Sequence, residues 1–138
     1  MTEPIKLMTV RQFAKFLPKI CGRDTSFDPD GWTKDNPLWG HCAVVALLAK
    51  SLFSGEIVYG SLKGTKFVRM TFHFWNSLPD GKRPDGRQKD FTRAQFGKDY
   101  PKFPEVKTAI PKMFKDESTQ RRFRLLQERF VEACKKEK

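Results

Sequence analysis

The chain has 138 residues, and 27 Lys and Arg against 16 Asp and Glu give it a formal net charge of +11. That length fits a single domain over residues 1–138, able to bury roughly two-thirds of its unfolded surface, and 13 Phe and 3 Trp supply the core. The longest apolar run, Ala43–Ala49, is too short for a bilayer; three irregularly spaced cysteines argue against a disulfide framework; two histidines without a CxxC pair argue against a structural zinc site.

Thr9-Val10-Arg11-Gln12 matches a capping box, and Val10, Phe13, Phe16, Leu17 and Ile20 then share one helical face. A first helix is expected from Val10 to Ile20, with Pro18 bending it or ending it early. Arg11, Lys15 and Lys19 form its solvated side. From Cys21 to Leu38 the composition is rich in Asp, Gly and Pro, which reads as a long loop pinned to the core by Trp32 and Trp39. A second helix starts beside Cys42, after Asn36-Pro37 and Gly40, and ends near Phe53, with Gly55 as its C-cap. It has few polar positions and is expected to be buried on most sides.

Glu56–Tyr59 has strand composition, Lys63-Gly64-Thr65 suggests a hairpin turn, and Lys66–Asn76 reads as the longest strand. On that strand Thr71, His73 and Trp75 share one face, and Phe72 and Phe74 the other. The doubled turns Pro79-Asp80-Gly81 and Pro84-Asp85-Gly86 predict an exposed loop carrying Lys82, Arg83, Arg87 and Lys89. A short third strand is expected at Asp90-Phe91, and a short helix after Thr92-Arg93-Ala94-Gln95. Gly97–Lys115 should be loop or a short edge strand. A final helix, capped by Ser118, should run to about Lys136, with Phe123, Leu126, Phe130 and Cys134 as its buried stripe.

These elements predict an α+β domain in which a central helix bearing Cys42 packs on a small antiparallel sheet. Cys42 falls in the first turn of its helix, near the positive end of the helix dipole and unpaired N–H groups, a setting that favours the nucleophilic thiolate. The alternative is that Cys42 is a small buried hydrophobe. His73 on one strand and Asp90 on the next are candidates for the base and its orienting carboxylate.

Trp39-Gly40-His41-Cys42-Ala43, then His73-Phe74-Trp75-Asn76-Ser77-Leu78-Pro79-Asp80-Gly81, then Asp90-Phe91-Thr92-Arg93-Ala94-Gln95-Phe96 resemble the YunG-like family. The resemblance is good from Asn36 to Tyr100 and looser from Ser118 onward. It implies a small papain-like, transglutaminase-like fold with a triad of Cys42, His73 and Asp90. Two departures stand out. His41 occupies the place where the family usually has Gln, and the doubled Pro-Asp-Gly lengthens the loop between His73 and Asp90, leaving Asp80 and Asp85 as fallback third members. Asn36 and His41 are candidate oxyanion donors, and Trp39 and Trp75 candidate pocket walls.

The function expected from these residues is thiol-dependent acyl transfer on an amide, as a peptidase, isopeptidase, deamidase or transglutaminase-like enzyme, needing no cofactor and no metal. The alternative is a basic binding module with a vestigial triad. The cationic loop favours an acidic protein or peptide partner, with nucleic acid as the other possibility and no membrane. Cysteine usage and an N-terminus without a signal peptide's apolar core predict a cytoplasmic protein. The oligomeric state is left open.

Overall fold

The computed structural model describes residues 8–79 and 87–136. The first helix, α1 (Val10–Ile20), begins at the capping box: the Gln12 N–H donates to Thr9 Oγ1 at 3.0 Å, and the Thr9 N–H donates to Gln12 Oε1 at 2.9 Å. Pro18 does not end it. One missing donor is outweighed by the burial of Phe13, Leu17 and Ile20 on its inner face.

The second helix, α2 (Cys42–Phe53), buries Val44, Val45, Ala46, Leu48 and Ala49. Its C-cap is Ser54, not Gly55; both take positive φ, and Gly55 lies one position further on. The last helix, α3 (Glu117–Lys136), is capped by Asp116 instead of Ser118. A cap must accept from the third helical N–H, and Asp116 Oδ2 accepts from the Thr119 N–H at 2.9 Å and from Thr119 Oγ1–H at 2.8 Å. The three helices share one core, where Phe13, Leu17, Val45, Leu48, Leu126 and Phe130 meet.

The sheet is antiparallel, ordered β3-β2-β1-β4, with β1 Glu56–Ser61, β2 Phe72–Leu78, β3 Arg87–Lys89 and β4 Lys107–Thr108. The fold class is therefore α+β. The long strand expected from Lys66 is shorter. Val68–Met70 coil into a 3₁₀ turn, Thr71 takes φ +64°, and extended pairing starts only at Phe72. Phe67 and Met70 are apolar because they pack with Leu62 and Phe96, not because they lie in a strand.

The third strand also shifts. It covers Arg87–Lys89, and Asp90 is the first residue beyond it. The expected helix after Thr92 is a 3₁₀ turn over Arg93–Phe96 without a side-chain cap. The short edge strand expected in Gly97–Lys115 is β4. Within the Cys21–Leu38 loop, Arg23–Thr25 form another 3₁₀ turn. Trp39 pins the loop as expected, packing on the Leu62–Phe96 cluster while its Nε1–H donates to Asp28 Oδ2 at 3.0 Å; Trp32 instead braces the loop on itself, its Nε1–H donating to the Pro37 carbonyl at 2.9 Å.

α2 lies across one face of the sheet, where Phe74 packs with Ala43, Ala46 and Leu47. Asn76 reaches from that face to donate its Nδ2–H to the Ala46 carbonyl at 3.0 Å. The opposite face of β2 carries His73 and Trp75, stacked 5.5 Å apart. Among the described residues no helix is long and apolar enough to cross a membrane.

Phe13 is fully buried, with edge-to-face contacts to Phe53, Phe91 and Phe130 that tie α1 to α2, α3 and the segment after β3. Phe13→Ala should lower the unfolding free energy by about 3–5 kcal/mol, read from the midpoint of a denaturant titration.

Candidate active site

Cys42 is the first residue of α2, and two constraints fix its approach. Gly40 takes φ +77°, and a Cβ there would lie 2.2 Å from Ser26 Oγ, so only glycine fits. The Gly40 carbonyl accepts from the Phe27 N–H at 2.8 Å, and the Gly40 N–H donates to Gln95 Oε1 at 3.0 Å. The chain thus enters α2 clamped from two sides. His41, the N-cap, makes no side-chain cap bond, so it leaves the first N–H groups of α2 uncapped.

His73 is the second residue of β2. Pairing of Asn76 with Lys89 brings the end of β3 beside it, and His73 Nε2–H donates to Asp90 Oδ2 at 2.5 Å. The same carboxylate accepts from Tyr100 Oη–H at 2.7 Å, from the Thr92 N–H at 3.1 Å and from Thr92 Oγ1–H at 3.3 Å. Burial works against the Asp90 charge, but these donors and the His73 charge outweigh it and hold its pKa below the usual carboxylate range. Burial likewise works against a charged His73. The hydrogen bond and charge of Asp90, with the neighbouring Cys42, prevail, raising His73 from 6.5 to about 9. The other ring nitrogen, Nδ1, is buried without a hydrogen-bond partner.

The imidazole is walled by aromatic rings. Phe103 stacks on it at 5.8 Å and 17°, and Phe96 meets it edge-on at 4.8 Å. Gly60, opposite His73 in the β1–β2 register, makes room: a Cβ there would lie 2.3 Å from Phe103 Cδ1.

Cys42 reaches β2 beside the histidine, its Sγ–H directed 4.0 Å to the Phe72 carbonyl. A pocket of about 390 Å³ opens onto Cys42, lined also by Ala43, Phe72, Phe74, Met113 and Arg122. Cys21 and Cys134 are buried and do not line this pocket.

The remaining sequence candidates fall elsewhere. Asn36 Nδ2–H donates to the Gln95 carbonyl at 3.0 Å, so that amide donor holds a loop. His41 is fully buried; its Nδ1–H donates to the Trp39 carbonyl at 2.9 Å, and its Nε2 lies 2.7 Å from Thr25 Oγ1. The two ring nitrogens are therefore taken up by the Trp39 backbone and by Thr25 of the Cys21–Leu38 loop. Burial holds His41 at about 4, which keeps it neutral. Trp39 binds Asp28, and Trp75 Nε1–H donates to Gln88 Oε1 at 2.9 Å, so Trp75 walls His73 and not the pocket. Arg87 and Lys89 are exposed on β3. Lys82, Arg83, Asp80 and Asp85 lie outside the described residues.

Sequence reasoning missed Tyr100, Gln95, Gly60 and Arg122. The Thr92–Gln95 pair was visible as a capping box, and the same three-residue spacing serves another bond: Gln95 Nε2–H donates to Thr92 Oγ1 at 2.9 Å. Arg122 was hidden because a lone charge on an apolar stripe reads as surface.

The sequence model of a family described as YunG protein matches residues 9–135. No curated protein and no solved structure matches the chain.

The chain has only two histidines, and their environments pull them apart. A proton-NMR titration should show one imidazole titrating near pH 4, His41, and one near pH 9, His73, with neither near 6.5. Asp90→Asn should move the upper one down toward 6.5. Stability follows with opposite signs. The His73 contribution is full below 6.5 and is lost as pH rises through 9, whereas the His41 contribution is full above 6.5 and is lost as pH falls through 4. His73→Gln should therefore flatten the alkaline side of a Tm–pH curve and leave the acid side.

Proposed function

The chain belongs to the YunG family, and on that premise we propose that it transfers acyl groups from amides through a cysteine nucleophile. The observation that carries this reading is the buried His73–Asp90 pair, with its free Nδ1, beside a cysteine that opens onto a pocket. In the order helix, strand and strand end, Cys42, His73 and Asp90 resemble the triad of papain-like and transglutaminase-like enzymes, and the helix-on-sheet arrangement is compatible with that fold.

In the first half-reaction the Cys42 thiolate attacks the amide carbonyl carbon. An S–C bond forms, and the carbonyl π pair moves onto oxygen. The uncapped first N–H groups of α2 are the donors available to that oxyanion. The tetrahedral species collapses as the C–N bond breaks, and His73 passes its Nδ1 proton to the departing nitrogen, leaving a thioester and an amine. In the second half-reaction water or an amine gives a proton to His73 and adds to the thioester carbon. The C–S bond breaks and sulfur leaves as thiolate. Asp90 stays ionised throughout and fixes the ring through Nε2–H.

The positive charge of the chain, with Arg87 and Lys89 exposed next to Asp90, favours an acidic protein or peptide as substrate, and the irregular spacing of the three cysteines suits a cytoplasmic setting. The same charge supports the second reading, a basic binding module for an acidic protein or nucleic acid in which the triad is vestigial.

Alkylation by iodoacetamide at neutral pH, mapped by mass spectrometry, separates the two. Cys42 should be modified at least about tenfold faster than Cys21 or Cys134, and His73→Gln should remove most of that advantage. Equal rates at all three cysteines would sink the enzyme and favour the binding module.

A further inference from the structure

Arg122 interrupts the apolar stripe of α3, four residues before Leu126, and is only 3 % exposed. Its Nε–H donates to Ser118 Oγ at 3.2 Å and its Nη2–H to Thr119 Oγ1 at 3.1 Å. Its Nη1 is buried and has no partner. The guanidinium lies 5.6 Å from the centre of the Phe27 ring. Among the described residues no carboxylate forms an ion pair with it. Asp116, whose charge acts on Arg122, spends Oδ2 on the Thr119 N–H and hydroxyl, so it caps α3 and makes no direct hydrogen bond to the guanidinium. Burying a guanidinium without a counter-ion is unfavourable, and arginine does not escape by losing its proton. A planar fork with one edge unused is suited to a carboxylate.

The pocket that the side chain lines decides its role. Arg122 lines the same pocket as Cys42, together with Phe27 and Phe72. We propose that Arg122 anchors a substrate carboxylate, so that the pocket takes an amide whose reacting carbonyl lies a short reach from an anionic group. That group is either a chain-terminal carboxylate or an acidic side chain. The assignment rests on the acyl-transfer reading of Cys42 and adds a substrate class to it.

Iodoacetate and iodoacetamide test it, because they differ only in carrying a carboxylate or an amide. With either, the Cys42 sulfur attacks the methylene carbon, an S–C bond forms, and iodide leaves with the C–I pair. The readout is the rate ratio of iodoacetate to iodoacetamide at Cys42, divided by the same ratio for a small free thiol. It should exceed one by about tenfold, the order of a single charge-assisted hydrogen bond. Arg122→Gln should abolish the excess, Arg122→Lys should keep part of it, and Asp116→Asn, which removes a competing negative charge from the pocket, should raise it. The last variant keeps the test decisive if Arg122→Gln does not fold.

A ratio of one in the parent, or an excess unchanged in both Arg122→Gln and Asp116→Asn, overturns the assignment while Cys42 stays reactive. Equal slowing by Arg122→Gln with both reagents would place Arg122 on the sulfur, not on the incoming acid, and also overturns it. Slow reaction of Cys42 with both reagents in the parent overturns the acyl-transfer reading itself. N-acetylglycine and N-acetylglutamic acid α-amide then compete with iodoacetamide. Protection by the first assigns a chain terminus, protection by the second an acidic side chain, and protection by neither counts against the anchor.

Discussion

Asp90 is a largely buried carboxylate, and the local structure follows from keeping it ionised. Four donors from three residues converge on its two oxygens: His73, Tyr100, and Thr92 twice. Thr92 is then held by Gln95, and Gln95 holds the Gly40 N–H. The cost of an unsatisfied buried charge is high enough to fix every member of that chain. Its far end is the residue two before Cys42. The link therefore ties the strand pair carrying His73 to the turn that starts α2, which connects the two halves of the candidate site through hydrogen bonds as well as through packing.

The aromatic rings do complementary work. His73 lies between Phe96, Phe103, Tyr100 and Trp75, which exclude water from the sides of the imidazole not facing Cys42 or Asp90. A low-dielectric wall strengthens the His73–Asp90 bond and penalises any arrangement that breaks it. Gly60 permits this by letting Phe103 lie flat against β1. The same glycine would weaken an ordinary strand, so its place here is explained by the close approach, not by the pairing.

What was legible in the sequence was local. The Thr9–Gln12 box and the spacing of Phe13, Leu17 and Ile20 predict α1 to the residue, because caps and helical periodicity act within one or two turns. The start of α2 follows from Gly40 and the apolar run after it, so Cys42 at a helix terminus was readable. The strand starting at Lys66 was not, because Phe67, Val68 and Met70 have strand composition yet serve a cluster around Leu62 and Phe96. Asp90 was placed correctly beside His73 in space but one residue outside its strand. Tyr100 reaches Asp90 from an irregular segment ten residues on, Arg122 joins the site only through the pocket it shares with Cys42, and no local pattern signals either.

Both edges of the sheet share a property with consequences away from the site. Among the described residues β3 and β4 are three and two residues long, all exposed, and carry Arg87, Lys89 and Lys107. So short an edge exposes few unpaired backbone groups, and cations along it repel an identical edge on another molecule. Part of the positive charge therefore acts as a guard against strand-to-strand aggregation, at the places where an open antiparallel sheet would otherwise extend into its neighbour.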